Sequence, residues 1–455
     1  MRKNCLPVAL AAAAMMLVLS SARLSAQDKP TSSPASTKAA GLGVWESVAS
    51  TAGLKGRAIV FDSNGWMYLS VDGADVKRSK DRGQTWEALP GTGAGEKLSV
   101  VIGLNAAGEV VATVSDKAAT LFRLVKNGTT WNRAQFQDAN GKDVTPAAAW
   151  GGVTFAPDLA SGNLVAANSA KLYISKDGVG DTLDEVPAPT EPHPWIPWMV
   201  LRVNPKTHDL VMGTEVATCG MWRSSDGGHK WTWIGLGTEK GNSNPFFNSD
   251  GEVFDCSTSN QYGLPVRWTE GKTWVKSHEG LKPGGYRCAV IGPYVNGKDR
   301  WPNALFLAQR NKDNSTNNFV SLDQGRTWKA VGEPATIPPT TRTFAVGDDG
   351  YLYAATSSDG IWRMKVNDLT LDTASLPAGK QGAAYTASLA ASGGNAPYAW
   401  SAKGLPPGLT LDAAKGTISG TAKPSGTFDV AVAVTDSSFV KTKCTKTFSL
   451  RIEAE

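Results

Sequence analysis

Short apolar runs broken by Asn-Gly and Asp-Gly turns recur along most of this chain. Arg57-Ala58-Ile59-Val60-Phe61 runs into the turn Asp62-Ser63-Asn64-Gly65 and then Trp66-Met67-Tyr68-Leu69. Far downstream, Arg342-Thr343-Phe344-Ala345-Val346 leads through Gly347-Asp348-Asp349-Gly350 into Tyr351-Leu352-Tyr353-Ala354-Ala355. Apolar segments flanking such turns predict antiparallel hairpins. Seven units of this kind start near residues 57, 98, 152, 199, 245, 287 and 342. The pattern predicts an all-β chain.

A second signature rides on the first. Ser79-Lys80-Asp81-Arg82-Gly83-Gln84-Thr85-Trp86 returns as Ser321-Leu322-Asp323-Gln324-Gly325-Arg326-Thr327-Trp328, with a close copy at Ser224-Ser225-Asp226-Gly227-Gly228-His229-Lys230-Trp231. Eroded copies keep Gly128, Thr130 and Trp131, then Gly271, Thr273 and Trp274, while a further one keeps Ser175 and Asp177. A short Asp side chain can accept hydrogen bonds from its own turn, Gly supplies a positive φ, and Trp packs between neighbouring turns. One acid per repeat at a fixed turn is scaffold chemistry, so these Asp residues are expected to play no catalytic part. The spacing S-x-D-x-G-x-T-W resembles the Asp-box (BNR) repeat of β-propellers in the sialidase, xyloglucanase and sortilin-like superfamily.

The seventh unit supplies only three strands, ending at Trp362-Arg363-Met364-Lys365-Val366, and lacks a box. Its missing strand is expected from the other end of the chain, because Val44-Trp45-Glu46-Ser47-Val48 matches the post-box strand Thr85-Trp86-Glu87-Ala88-Leu89. Such a closure leaves only short edges exposed. Residues 45–366 divided among seven blades give 46 per blade, which suits four strands each. The expectation is a seven-bladed β-propeller over residues 42–367, with six or eight blades as alternatives.

After Asn367 the character changes. Leu376-Pro377-Ala378-Gly379, Gly404-Leu405-Pro406-Pro407-Gly408-Leu409 and Gly416-Thr417-Ile418-Ser419-Gly420-Thr421 precede alternating strands such as Thr427 to Val434. These motifs resemble the putative-Ig repeats of bacterial secreted proteins, which implies an Ig-like β-sandwich over residues 370–455. No Cys…Trp…Cys core of the antibody type is present. Such modules space, stabilise or adhere, and this one is a candidate site for a protein partner.

The start of the chain reads as a leader. Met1-Arg2-Lys3 precedes an apolar run from Leu6 to Leu19 and small residues, which predicts a signal peptide over residues 1–26. Residues 27–41, rich in Pro, Ser, Thr and Ala, read as a flexible segment. Cleavage would remove three cations and no anion, lowering the formal charge from +5 to +2. No block of like charge remains, which argues against nucleic acid. The expected protein is a bacterial secreted or periplasmic monomer without a membrane span after cleavage, with association at the cell surface open. Outside the cytosol a disulfide among Cys219, Cys256 and Cys288 is an option, with Cys219 and Cys256 at the ends of comparable strands. The four His are not clustered with Cys, so neither a zinc site nor a cofactor is expected.

If the boxes mark one face of the disc, ligands belong on the other, near the axis. Three arginines, Arg57, Arg287 and Arg342, begin first strands of adjoining units, where convergent guanidinium groups could hold a carboxylate or sulfate. The segment Glu191-Pro192-His193-Pro194-Trp195-Ile196-Pro197-Trp198 leads into the fourth unit. Its Trp195 and Trp198 are candidates for stacking on sugar rings, and His193 for a polar contact. Glycoside cleavage needs two facing carboxyl groups. Glu215, Asp255 and Glu279 are the candidate acids, with Asp72 and Asp75 on the same expected face and Tyr262, Tyr286 and Tyr294 near in sequence.

The family resemblance transfers scaffold residues and a leaning toward polysaccharide or glycoconjugate ligands. Where sialidases carry Arg-Ile-Pro before the first blade, this chain reads Gly56-Arg57-Ala58-Ile59, and their catalytic set has no residue-by-residue match. Xyloglucan enzymes resemble the blade count better but use two propellers where this chain has one. Two functions therefore stand at this level. One is a carbohydrate-active or glycan-binding protein, with glycoside hydrolysis as its enzymatic form. The other is a non-catalytic protein-binding or assembly scaffold.

Overall fold

The computed structural model describes residues 43–89, 100–115, 119–144, 154–167, 171–175, 177–189, 199–214, 220–235, 243–257, 263–269, 273–311, 315–331, 338 and 340–455. The expected signal segment lies outside them. Seven antiparallel sheets follow one another around a ring, and their first strands are Gly56–Phe61, Val100–Leu104, Thr154–Pro157, Met199–Val203, Asn244–Phe247, Gly285–Asn296 and Thr341–Val346. Each begins within two residues of the start read from the sequence. Each first strand contacts the first strand of the next sheet, and the seventh contacts the first, so the molecule is a seven-bladed propeller. We number the blades in that order.

The ring closes as the sequence suggests. Trp45–Ser47 pairs antiparallel with Ile361–Lys365, the third strand of blade 7, and becomes its fourth. Trp45 is 2% exposed, stacks on Phe344 at 6.2 Å and packs with Phe306, Leu352 and Met364. The closure thus joins the two ends of the propeller through a buried indole as well as through backbone hydrogen bonds.

The three Ser-x-Asp turns each join a third strand to a fourth, and they are near copies. Ser79, Ser224 and Ser321 donate Oγ to Asp81, Asp226 and Asp323 at 2.8–2.9 Å, and accept from Gly83, Gly228 and Gly325 N–H at 2.7–2.9 Å. The same carboxylates cap the N–H of Thr85, Lys230 and Thr327. Gly83, Gly228 and Gly325 adopt φ of 88°, 95° and 89°, a region that disfavours any Cβ.

These bonds hold the Asp81 carboxyl down at about 2, through the Thr85 hydroxyl first, then the Thr85 N–H and the Ser79 hydroxyl. A depressed carboxyl contributes stability above its ordinary value of 3.8 and loses it as pH falls through about 2. The stability difference between the wild type and Asp81→Asn should therefore be fully present at neutral pH. It should shrink between about pH 4 and 2, as followed by denaturant unfolding at a series of pH values. A difference independent of pH would show that the charge of Asp81 is not what the turn uses.

A second repeated device lies at the same end of the blades, in the turns between first and second strands. Asp62, Asn105, Asp158, Asn204 and Asn248 each accept a backbone N–H from their own turn. The amides among them also reach the next blade: Asn204 donates to Gly251 O at 2.7 Å and Asn248 to Gln324 O at 3.2 Å. Arg82, inside the first Ser-x-Asp turn, pairs with Asp348 of blade 7.

Two features depart from a regular four-stranded ring. Gln135–Gln137, from the connection after blade 2, adds a fifth strand parallel to Thr182–Val186 of blade 3. In blade 6 the first two strands, Gly285–Asn296 and Asp299–Arg310, form a hairpin of twelve residues on each side.

Beyond Asn367, a four-stranded and a three-stranded sheet enclose a core that includes Trp400, Ile418, Val430, Val432, Phe448 and Leu450. Phe448, Leu450 and Ile452 alternate with exposed positions, as a strand with one buried face requires. The long blade 6 hairpin meets this module: Arg300 pairs with Asp368 at 2.7 Å and Pro302 O accepts Phe439 N–H at 2.9 Å. Asp436, buried, accepts from Asn367 Nδ2, Ser438 Oγ and Thr442 N–H and fixes the loop that makes these contacts.

Candidate functional site

The end of the propeller opposite the Ser-x-Asp turns is where the first strands begin. In blade 6, Leu305 pairs with Ser321 and Arg310 with Thr316, so the turn and the arginine mark opposite ends of one sheet. Among the described residues, three first strands carry a β-bulge at this end, and in each the extra residue is an arginine. Gly56 pairs with Val71 and Ala58 with Ser70, leaving Arg57 unmatched. Tyr286 pairs with Gln309 and Cys288 with Ala308, leaving Arg287. Thr341 pairs with Thr356 and Thr343 with Ala355, leaving Arg342. In blades 2 to 5 the first-to-second strand pairing runs without this break across the described residues.

A bulge inserts one residue into a strand and re-aims its side chain. Two of the carbonyls at the bulges accept from neighbouring blades. Asn244 Nδ2 donates to Arg287 O at 3.0 Å and Thr343 Oγ1 to Arg57 O at 3.4 Å. Blades 6, 7 and 1 adjoin, because their first strands touch in that order. The three arginines that the sequence singled out therefore stand side by side at one end of the ring.

Their electrostatics are unequal. Asp72, in the turn after the second strand of blade 1, accepts from Arg342 Nη1 at 2.6 Å and Arg57 Nη1 at 3.3 Å. Burial opposes its charge, but the Arg342 hydrogen bond and charge, followed by Arg57, hold the Asp72 carboxyl below its ordinary range. Arg287 has no carboxylate within 4.0 Å among the described residues. Burial, then the charges of Arg310 and Arg342, push its guanidinium down from its ordinary value. Arg57, Arg287, Arg310 and Arg342 thus share one end of the ring, where Asp72 bridges two of them and clustered guanidinium groups can attract anions.

The other candidates fare differently. Asp255 does not face solvent: it is fully buried, with Oδ1 accepting Asn244 N–H at 2.9 Å and Oδ2 the Ser243 hydroxyl at 3.2 Å, and so anchors the chain entering blade 5. Glu279 lies elsewhere than expected. Its carbonyl accepts Trp328 N–H, and it bridges to Thr327, which places it beside the Ser-x-Asp turn of blade 6 and away from the arginine end. The fourth strand of blade 5, Trp274–Lys276, is followed by residues that run along that turn, with Ser277 Oγ donating to Gly325 O.

Tyr286 is also inside, its hydroxyl donating to Lys282 O at 2.7 Å, and burial pushes the phenol up. Glu215, His193, Trp195, Trp198 and Tyr262 lie outside the described residues. Cys256, Cys288 and Cys444 are free thiols, so neither Cys256 nor Cys288 takes part in the disulfide the sequence left open. Cys256 is buried, with Sγ at 3.5 Å from Asn244 O and 3.7 Å from Tyr286 O. Burial pushes the Cys288 thiol up to about 12.

Sequence reasoning placed Arg57, Arg287 and Arg342 together but missed the bulges, the Asp72 bridge and Arg310. The signal for Asp72 was its position directly after the second strand of blade 1. Among the described residues no group of three or more His, Cys, Asp or Glu could hold a metal ion, and no helix is long and apolar enough to cross a membrane.

No curated protein matches the sequence. Residues 367–453 match the family described as "Putative Ig domain". Among solved structures, the chain is similar to the extracellular domain of the putative one component system BT4673 from B. thetaiotaomicron, with TM-score 0.50, 9% identity and coverage of 90% of this chain and 59% of that one. It is similar to a GH74 xyloglucanase from Xanthomonas campestris, with TM-score 0.53, 16% identity and coverage of 71% and 53%. It is also similar to YCF48 bound to D1 peptide, with TM-score 0.50, 16% identity and coverage of 72% and 99%. The chain spans 59% and 53% of the length of the first two structures. At these identities the likeness is one of fold. This chain is a β-propeller followed by an Ig-like domain.

Proposed function

We propose that this protein is a secreted or periplasmic Asp-box propeller that binds a carboxylated or sulfated polysaccharide or glycoconjugate at the arginine end of its ring. The observation that carries this reading is the bulged arginine repeated in blades 6, 7 and 1. A bulge repeated at the same place in three blades and filled each time by the same cation points to a shared role, and guanidinium groups match carboxylates and sulfates in planar geometry. The Ser-x-Asp turns, which are the Asp boxes in this reading, hold the opposite end. Trp195 and Trp198, with His193 and Tyr262, are proposed as the stacking and polar groups that complete the ligand surface.

Binding is favoured over hydrolysis. Glycoside cleavage needs two carboxyl groups facing one bond, whereas Asp255 is enclosed and Glu279 belongs to the other end. Glu215, outside the described residues, is the one of the three candidate acids still proposed for this face. The second reading, a protein-binding scaffold, draws on the same arginines, since the C-terminus of a peptide is also a carboxylate. The similar propeller YCF48 was solved with a peptide bound.

The test is titration of the full chain with dextran sulfate and with neutral dextran, followed by a carboxylated peptide. Saturable binding of the sulfated polymer alone is expected. Binding of the peptide in place of any polysaccharide would overturn the glycan reading in favour of the scaffold.

A further inference from the structure

Asp72 follows the second strand of blade 1, where its N–H donates to Lys55 O at 2.9 Å. Its carboxylate gives one oxygen to each of two guanidinium groups from two different blades, Oδ1 to Arg57 and Oδ2 to Arg342. A ligand carboxylate or sulfate spanning blades 7 and 1 would adopt that same arrangement. The side chains of Arg57, Asp72 and Arg342 are 39%, 28% and 27% exposed, so the bridge is reachable from solvent. Among the described residues nothing lies within 4 Å of where a side chain at Gly73 would stand, so the outer side of this turn is open. Beside the bridge, Arg287 has no carboxylate within 4.0 Å among the described residues, and burial with the charges of Arg310 and Arg342 disfavours its own charge.

We propose that Asp72 is an internal stand-in for the anionic group of the ligand, occupying the bridge between Arg57 and Arg342 until an external carboxylate or sulfate ester displaces it. The proposal rests on the reading of this end of the ring as an anion site. A tethered carboxylate competes at high effective concentration. Asp72 therefore sets a threshold. A neutral glycan gains nothing by displacing it, and a polyanion that also engages Arg287 gains most. Displacement moves charge without any covalent step, and the freed Asp72 carboxylate passes to water.

Removing the charge of Asp72 removes this internal competitor. Asp72→Asn should bind dextran sulfate about tenfold more tightly than the wild type, the size expected for the loss of two partly exposed ion pairs. Asp72→Ser, which also suits a turn, should show the same gain and serves if the Asn form does not fold. Both are measured by calorimetric titration of the full chain in about 0.15 M salt, with folding checked by circular dichroism. If the wild type binds dextran sulfate and both variants bind equally or more weakly, Asp72 orders the arginines and does not stand in for ligand. If neither the wild type nor either variant binds dextran sulfate, the anion reading of the site itself fails.

Discussion

Replacing Arg287 and Arg342 together by Gln is expected to weaken binding of a sulfated polysaccharide by roughly 100-fold, about 3 kcal/mol, the size expected for losing two charge-assisted hydrogen-bonding groups. The fold should survive. Arg287 carries its charge against burial and against Arg310 and Arg342, so Arg287→Gln alone should unfold at an equal or higher denaturant concentration while binding less. Loss of affinity without loss of stability separates a binding residue from a structural one, because functional sites hold groups that the fold would prefer to neutralise. Parallel titrations and guanidinium unfolding of the single and double variants give both quantities. Loss of stability in Arg287→Gln with unchanged affinity would mean that the arginine serves the scaffold.

The largest effect on stability is expected at the ring closure. Trp45→Ala should cost about 3–5 kcal/mol, in the range for removing a buried aromatic side chain. Trp45 reaches blade 7 from the other end of the propeller, stacks on Phe344 and contacts the same core as Phe306 and Met364. Its neighbour Glu46 pairs with Arg363 at 2.7 Å, with both side chains about 30% exposed. Glu46→Ala should therefore cost no more than about 1 kcal/mol. Guanidinium unfolding of the two variants checks the contrast, and equal losses would mean that the closing strand is held by its surface and not by its core.

What could be read from the sequence was local. The Ser-x-Asp turns are legible because Ser, Asp and Gly make their hydrogen bonds within eight residues, and the closing strand because Trp45-Glu46 repeats Trp86-Glu87. The starts of the first strands follow from apolar runs next to turns. What could not be read depends on a partner strand. A bulge at Arg57, Arg287 or Arg342 exists only relative to the second strand it opposes, and nothing in Gly56-Arg57-Ala58 announces it. Asp255 looked like a loop acid because its burial is set by Ser243 and Asn244, which turn toward it at the entrance to blade 5. Glu279 was displaced from its expected face because the chain continues past Lys276 along the turn of the next blade. The parallel strand Gln135–Gln137 and the long blade 6 hairpin likewise arise from contacts with other parts of the fold.

This division has a physical basis. The propeller asks the same turn of several blades, so its scaffold is written several times. The candidate site is written once, from residues on different strands, and its geometry appears only when blades 6, 7 and 1 are side by side. The Ig-like module, tied to blade 6 through Arg300 and Asp368, meets the propeller at the tip of that long hairpin. The arginines lie at the hairpin's other end, away from this contact.

The measurement that bears most directly on the arginine end as an anion site is titration of the intact wild-type protein with dextran sulfate and neutral dextran as sodium chloride is raised. Saturable binding of the sulfated polymer is expected, weakening steadily as salt screens the guanidinium charges, with no binding of the neutral one. Equal binding of both polymers, or binding of the sulfated one that is indifferent to salt, would contradict it.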